Sequence, residues 1–129
     1  MHRVRVLVVD RQADHAETLR LLFESRGCRV LMARDAHEAL DLAHAYRPDA
    51  LVIELDVLGA GGVCTAARAA NPLGVCVVGL PGVGVNACDC TCDMRLKKPY
   101  RFEDVAACID HFIEERARVK RAANGGPPG

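Results

Sequence analysis

The chain alternates short apolar, β-branched runs with longer stretches in which apolar residues recur every three or four positions. The short runs read as strands buried on both faces, which need no polar alternation, and the longer ones as helices packed along one stripe. Residues 4–9 form the first strand, closed by Asp10. Asp14 and Glu17 then have the spacing of a capping box, and Leu19, Leu22 and Phe23 make a stripe that stops at Gly27. A second strand is predicted over 28–33. Asp35 and Glu38 repeat the cap, Ala36, Ala39, Leu40 and Ala43 repeat the stripe, and Pro48 rules out further helix. The third strand is 50–55. The turn Gly59-Ala60-Gly61-Gly62 leads into a helix over 63–70 that stops before Asn71-Pro72, and 75–78 reads as a fourth, fully buried strand.

Between 79 and 93 the pattern weakens. Pro81, Gly82 and Gly84 discourage regular structure, so only a short or irregular helix is expected there. A short fifth strand follows at 94–96, then a turn at Lys98-Pro99. Phe102, Val105, Ile109, Phe112 and Ile113 form the stripe of a last helix. The pattern predicts an α/β fold, a doubly wound five-stranded parallel sheet between two helical layers. One domain spans 1–121, and 122–129, rich in Gly and Pro, is expected to be a disordered tail.

Composition narrows the function. At 129 residues the chain holds one core, and 50% hydrophobic with 26% charged residues is ordinary for a globular domain. Aromatics are only 4%, too few for a base-stacking platform. Seventeen Lys plus Arg balance seventeen Asp plus Glu, so no global field draws nucleic acid or an anionic membrane, and only a local patch stays open. The first apolar run is too short for a signal peptide and no segment reaches a transmembrane length. Seven cysteines, an odd number without secretory context, point to reduced thiols in a cytoplasmic protein.

In open parallel sheets functional groups gather beyond the carboxyl ends of the strands. Those positions hold Asp10 with Arg11, Glu54, Gly79 and Lys98. Together with Val8-Val9-Asp10, Gly27-Cys28-Arg29-Val30, Ala39-Leu40, Pro48-Asp49, Gly62 and Lys98-Pro99, they make residues 3–116 resemble the receiver domains of two-component response regulators. The resemblance implies a flavodoxin-like fold of five strand–helix units with strand order 2-1-3-4-5, and a cis Lys98–Pro99 bond. A working receiver accepts a phosphoryl group from a histidine kinase on an aspartate ending strand three. Two acidic residues after strand one help hold magnesium, and a Thr or Ser ending strand four and a Lys before Pro bind the phosphoryl group.

Mapped onto that pattern, this chain keeps Asp10 and Lys98 but departs elsewhere. The second acidic position is Arg11, the acceptor position Glu54, the hydroxyl position Gly79, and Arg95 occupies the switch-aromatic position three before Lys98. Asp56 is the alternative acceptor. Measured from Glu54, Asp49 lies five before and Gly62 eight after, as in the family, whereas the same offsets from Asp56 fall on Leu51 and Cys64. Asp10 and Glu54 oppose Arg11 and Lys98 in charge without a metal. Arg11 is therefore expected to occupy or cover the metal position, pairing with Glu54 or Asp10. No cofactor is expected, and Mg2+ stays open but is disfavoured by Arg11. A longer Glu54 could also reach Lys98 and hold a fixed state imitating phosphorylation.

Other features carry less. Cys88, Cys90 and Cys92 invite a metal or redox reading, yet alternate residues of a strand lie about 6.8 Å apart, too far for thiolates at roughly 2.3 Å from one zinc. The run from Gly82 to Ala87 matches a dinucleotide loop only loosely. Arg116, Arg118, Lys120 and Arg121 read as a solvated helix end complementing the dipole, or a docking point for an acidic partner. His15, His37, His44 and His111 have no catalytic neighbours in sequence.

The expectation is a stand-alone, non-enzymatic receiver-like domain that binds a histidine kinase or output protein. Its surface would be the family's output face, made by the helix before the fifth strand, that strand and the last helix. That face is shortened here, with only nineteen residues from Gly79 to Lys98, so a changed partner is expected. No nucleic acid or membrane partner is expected, a homodimer stays open, and any transcriptional control would act through another chain. A phosphorylatable receiver using Glu54 or Asp56 and a cysteine-based metal or redox sensor remain the alternatives.

Overall fold

The computed structural model describes residues 3–82 and 91–125. Five parallel strands form one sheet: β1 (Arg5–Val9), β2 (Arg29–Ala33), β3 (Ala50–Glu54), β4 (Cys76–Leu80) and β5 (Met94–Arg95), in the order β2-β1-β3-β4-β5. Four helices stand among the described residues: α1 (Ala13–Ser25), α2 (Ala36–Tyr46), α3 (Ala60–Ala70) and α4 (Phe102–Gly125). The fold and strand order match the expectation. The weak-pattern stretch falls mostly on residues 83–90, which lie outside the described residues, as do Cys88 and Cys90.

The sheet sorts its side chains by the period-two rule. Leu7, Val9, Leu51, Ile53 and Val77 face α2 and α3, whose small residues Ala39, Ala43, Ala60 and Ala67 let the helices lie close. Val6, Val8, Val52, Val78 and Leu80 face α1 and α4 through Leu19, Phe23, Val105 and Ile109, with Phe23 and Phe102 in edge-to-face contact at 4.9 Å. β3 and β4 are buried along their whole lengths, which is why they read as unbroken apolar runs.

Several boundaries differ from the sequence reading. Asp14 and Glu17 form no capping box: Gln12 is the N-cap, its side chain caps nothing, and the Gln12 amide donates to the Asp10 carboxylate at 2.8 Å. Asp14 sits inside the first turn, two positions past the cap. Leu22 falls on the exposed side of the stripe. The second cap does form, with Asp35 accepting from the Glu38 amide at 2.9 Å.

α3 begins at Ala60, three residues early and through Gly61 and Gly62, because burying Ala60 favours the helix despite the glycines. Gly59 makes that entry at φ +86°, with room for little else, since a Cβ there would stand 3.1 Å from that of Ala36. β4 runs on to Leu80, and β5 stops at Arg95. α4 continues to Gly125, so residues 122–125 are helical rather than part of a tail. Among the described residues no helix is long and apolar enough to cross a membrane.

At the amino end of the sheet Asp49 is buried and saturated with donors. It accepts from the Arg5 amide at 2.9 Å and from Arg116 Nη2 at 3.0 Å, with Asn71 Nδ2 at 3.4 Å. Arg116, expected on a solvated helix end, is instead only 15% exposed and ties α4 across to the start of β3, with Nη1 on the Gly74 carbonyl at 2.9 Å.

Candidate functional site

β1 and β3 are neighbours in register, Val9 beside Ile53, so Asp10 and Glu54 leave the sheet side by side on the α1–α4 face. Both are almost wholly buried, at 2% and 6% exposure. A buried carboxylate needs partners, and the two find different ones.

Glu54 is held by Arg11. The guanidinium Nη2 donates to Oε1 at 2.7 Å and the Arg11 amide to Oε2 at 3.2 Å, with Nε a longer 3.5 Å from Oε2. Burial pushes the Glu54 carboxyl up. The hydrogen bonds from the Arg11 side chain and backbone and the charge behind them pull it down further, so it rests below its ordinary value. Reciprocally, Glu54 raises Arg11. Arg11 itself is half exposed, at 49%.

Asp56 approaches the same guanidinium nitrogen, its Oδ2 3.7 Å from Arg11 Nη2. Gly82 covers its carboxylate so closely that a Cβ at 82 would stand 2.1 Å from Asp56 Cγ. Only glycine allows this approach.

Asp10 is held by a different set. The Gln12 amide donates to Oδ1, and His15 Nδ1 meets Oδ2. In the neutral ring with its proton on Nδ1, facing the carboxylate, Nε2 accepts from the Tyr100 hydroxyl at 2.6 Å. Burial, then the Asp10 charge, pushes the Tyr100 hydroxyl up, which keeps it a donor. A Tyr100–His15–Asp10 chain therefore spans from the turn before α4 to the end of β1. Sequence reading missed His15 and Tyr100; the available signal was the position of His15 in the first turn of the helix that leaves Asp10.

Of the charges expected to oppose one another, Arg11 pairs with Glu54, while Asp10 is held by hydrogen bonds from the Gln12 amide and His15 rather than by Arg11 or Lys98. Lys98 follows β5 and precedes a cis Lys98–Pro99 bond, yet it is exposed and makes no ion pair with a described residue. The expected Glu54–Lys98 contact is not formed, because Arg11 takes both Glu54 oxygens. Lys98 lines, with Asp10, Glu54, His15 and Tyr100, an open cleft of about 680 Å³ walled by Leu19, Pro81 and Phe102.

β4 pairs Glu54 with Leu80 and Ile53 with Gly79, so the residue beside Glu54 on its face is Leu80. Gly79 points the other way, toward Leu55 and Cys92. Neither residue carries a hydroxyl. Arg95 pairs with Gly79 on the edge strand and is exposed. Cys92 is partly buried against the α2–α3 core.

The receiver fold raises the question of a divalent cation held by acidic residues here. These residues do not fit one. Both Asp10 oxygens accept from the chain's own donors, and a guanidinium lies between Glu54 and Asp56 where the cation's charge would have to sit.

No protein-family model matches the chain. It is 33% identical over 126 residues to the transcriptional regulatory protein PrrA of Mycobacterium tuberculosis, covering 93% of this chain and 54% of that protein. It is 34% identical over 110 residues to the response regulator MprA of Mycolicibacterium vanbaalenii, covering 81% and 48%. The chain spans about half the length of these curated relatives. Among solved structures it is similar to a response regulator of Burkholderia pseudomallei crystallised with a phosphorylated aspartic acid, a calcium ion and citrate. The TM-score there is 0.71 at 25% identity, over 96% of this chain and 75% of that one. With the parallel sheet and its 2-1-3-4-5 order, these similarities give the chain the fold of response-regulator receiver domains.

Proposed function

We propose that this receiver domain serves two-component signalling by binding a partner protein, a histidine kinase or an output protein, without passing through a phosphorylated state. The observation that carries the reading is the Arg11–Glu54 pair. A carboxylate that accepts phosphoryl must offer a free oxygen to phosphorus, with a cation to offset the incoming charge. Glu54 has its Oε1 on a guanidinium at 2.7 Å and its Oε2 on an amide at 3.2 Å, so attack would first break the pair. The extra methylene of Glu displaces the carboxylate as well, and misplacement by about 1 Å can cost ~100-fold in rate. Leu80 beside it offers no hydroxyl to the product.

Under this reading Arg11 stands in for the cation and the acceptor position is permanently neutralised, one fixed surface being offered to the partner. Intact mass after incubation with a small-molecule phosphodonor and Mg2+ tests it, with Glu54→Gln, Asp56→Asn and a phosphorylatable receiver alongside. The expected result is an adduct on the control receiver and none on this chain. An adduct here that disappears in either variant would identify an acceptor and overturn the reading in favour of an atypical phosphorylatable receiver.

A further inference from the structure

We infer that the amino-terminal end of the sheet carries a second binding site, a basic cleft that takes a small phosphate-bearing organic molecule of nucleotide size. The chain is neutral overall, yet its cations are not spread evenly. Arg5, Arg47, Arg116 and Lys120 line one cleft of about 460 Å³ in which, among the described residues, Asp49 is the single carboxylate. That carboxylate is buried beneath Arg116, Asn71 and the Arg5 amide.

Two of the cations are fixed. Arg5 Nη1 donates to the Tyr46 carbonyl at 2.6 Å, and Arg116 is held by Asp49 and the Gly74 carbonyl. A guanidinium already held in place loses little freedom when it binds an anion, and its planar fork matches a phosphate. The other two stand exposed at the rim, Arg47 on a left-handed turn at φ +47° and Lys120 on the last turns of α4, and neither side chain pairs with a described residue.

Leu73 and Ile113 give the cleft an apolar floor that a flat organic body can cover. The volume suits a small ligand. Convergent fixed guanidinium groups, a concave outline and an apolar floor favour a compact phosphate ester over an extended acidic peptide.

Calorimetric titration of the full chain with ATP, and separately with inorganic phosphate, tests this. Saturable one-to-one binding of ATP is expected, weaker for phosphate and weaker in high salt. Arg47→Gln and Lys120→Gln, both on exposed side chains, should each weaken ATP binding about tenfold, the scale of one charge-assisted hydrogen bond. Glu54→Gln at the opposite end should leave it unchanged. No saturation by about 1 mM ATP, an affinity that neither rim substitution alters, or binding of polyglutamate without binding of ATP would each overturn the inference.

Discussion

The two ends of the sheet use the same chemical device to different ends. At the amino end an arginine meets a buried carboxylate and is itself nearly buried; at the carboxyl end an arginine meets a buried carboxylate but stays half in water. Arg116 and Asp49, 67 positions apart, join α4 to the start of β3. Arg11 arises two residues past β1, and its guanidinium lies over the carboxyl end of β3 as a cover. The first pair is a structural clamp. The second occupies the place where a receiver does its chemistry, and half exposure is what lets such a pair exist at modest cost.

Arg116→Ala attacks the comparison hardest. It leaves the Asp49 charge buried with fewer donors, and breaking a buried pair costs about 3–5 kcal/mol. Denaturant unfolding should show a loss near the lower end of that range, since Arg116 keeps some solvent contact. A loss no larger than that of Glu54→Gln would mean the two ends are energetically alike.

The carboxyl end should respond more to charge than to stability. In Arg11→Asp a third carboxylate replaces the cover beside Glu54 and Asp10, and Mg2+ should then raise the melting temperature of the variant but not of the parent chain. Equal Mg2+ responses would show that Arg11 does not fill the cation's place.

Acid unfolding sharpens the same contrast. Glu54 sits below its ordinary value of 4.5 in the folded chain, so its contribution is fully present above that pH and is lost as pH falls through the lower folded value. Circular dichroism of Glu54→Gln should show a flatter decline below about pH 4.5 than the parent. An unchanged slope would place the acid sensitivity elsewhere.

Tyr100→Phe is the mildest change. It removes one neutral donor from His15, worth about 1 kcal/mol. In the parent chain the Tyr100 phenol should ionise at higher pH than an ordinary tyrosine, as tyrosinate absorbance would report.

Much of the fold is legible in the residues because burial dictates it locally. A strand enclosed on both faces has to be an apolar run, and 50–55 and 75–78 could hardly be anything else; α2 announces itself through Asp35, Glu38 and an alanine stripe. That Arg11 would pair with Glu54 or Asp10 was legible too, since all three stand at strand ends and the charges oppose, and the fold chose Glu54. Boundaries were less so. Gly61 and Gly62 argue for a turn by propensity, and only the burial of Ala60 makes them helical.

The sequence by itself determined the α/β architecture, the set of charged strand ends and the absence of a hydroxyl beside the acceptor position, because each follows from local pattern or residue type. Tertiary structure alone decided the partners. His15 and Tyr100 stand 85 positions apart, Arg116 and Asp49 67 apart, and the choice of Leu80 over Gly79 rests on a one-residue register. Such contacts depend on how strands align and where helices end, and a side chain a single residue out of register faces the opposite side of the sheet.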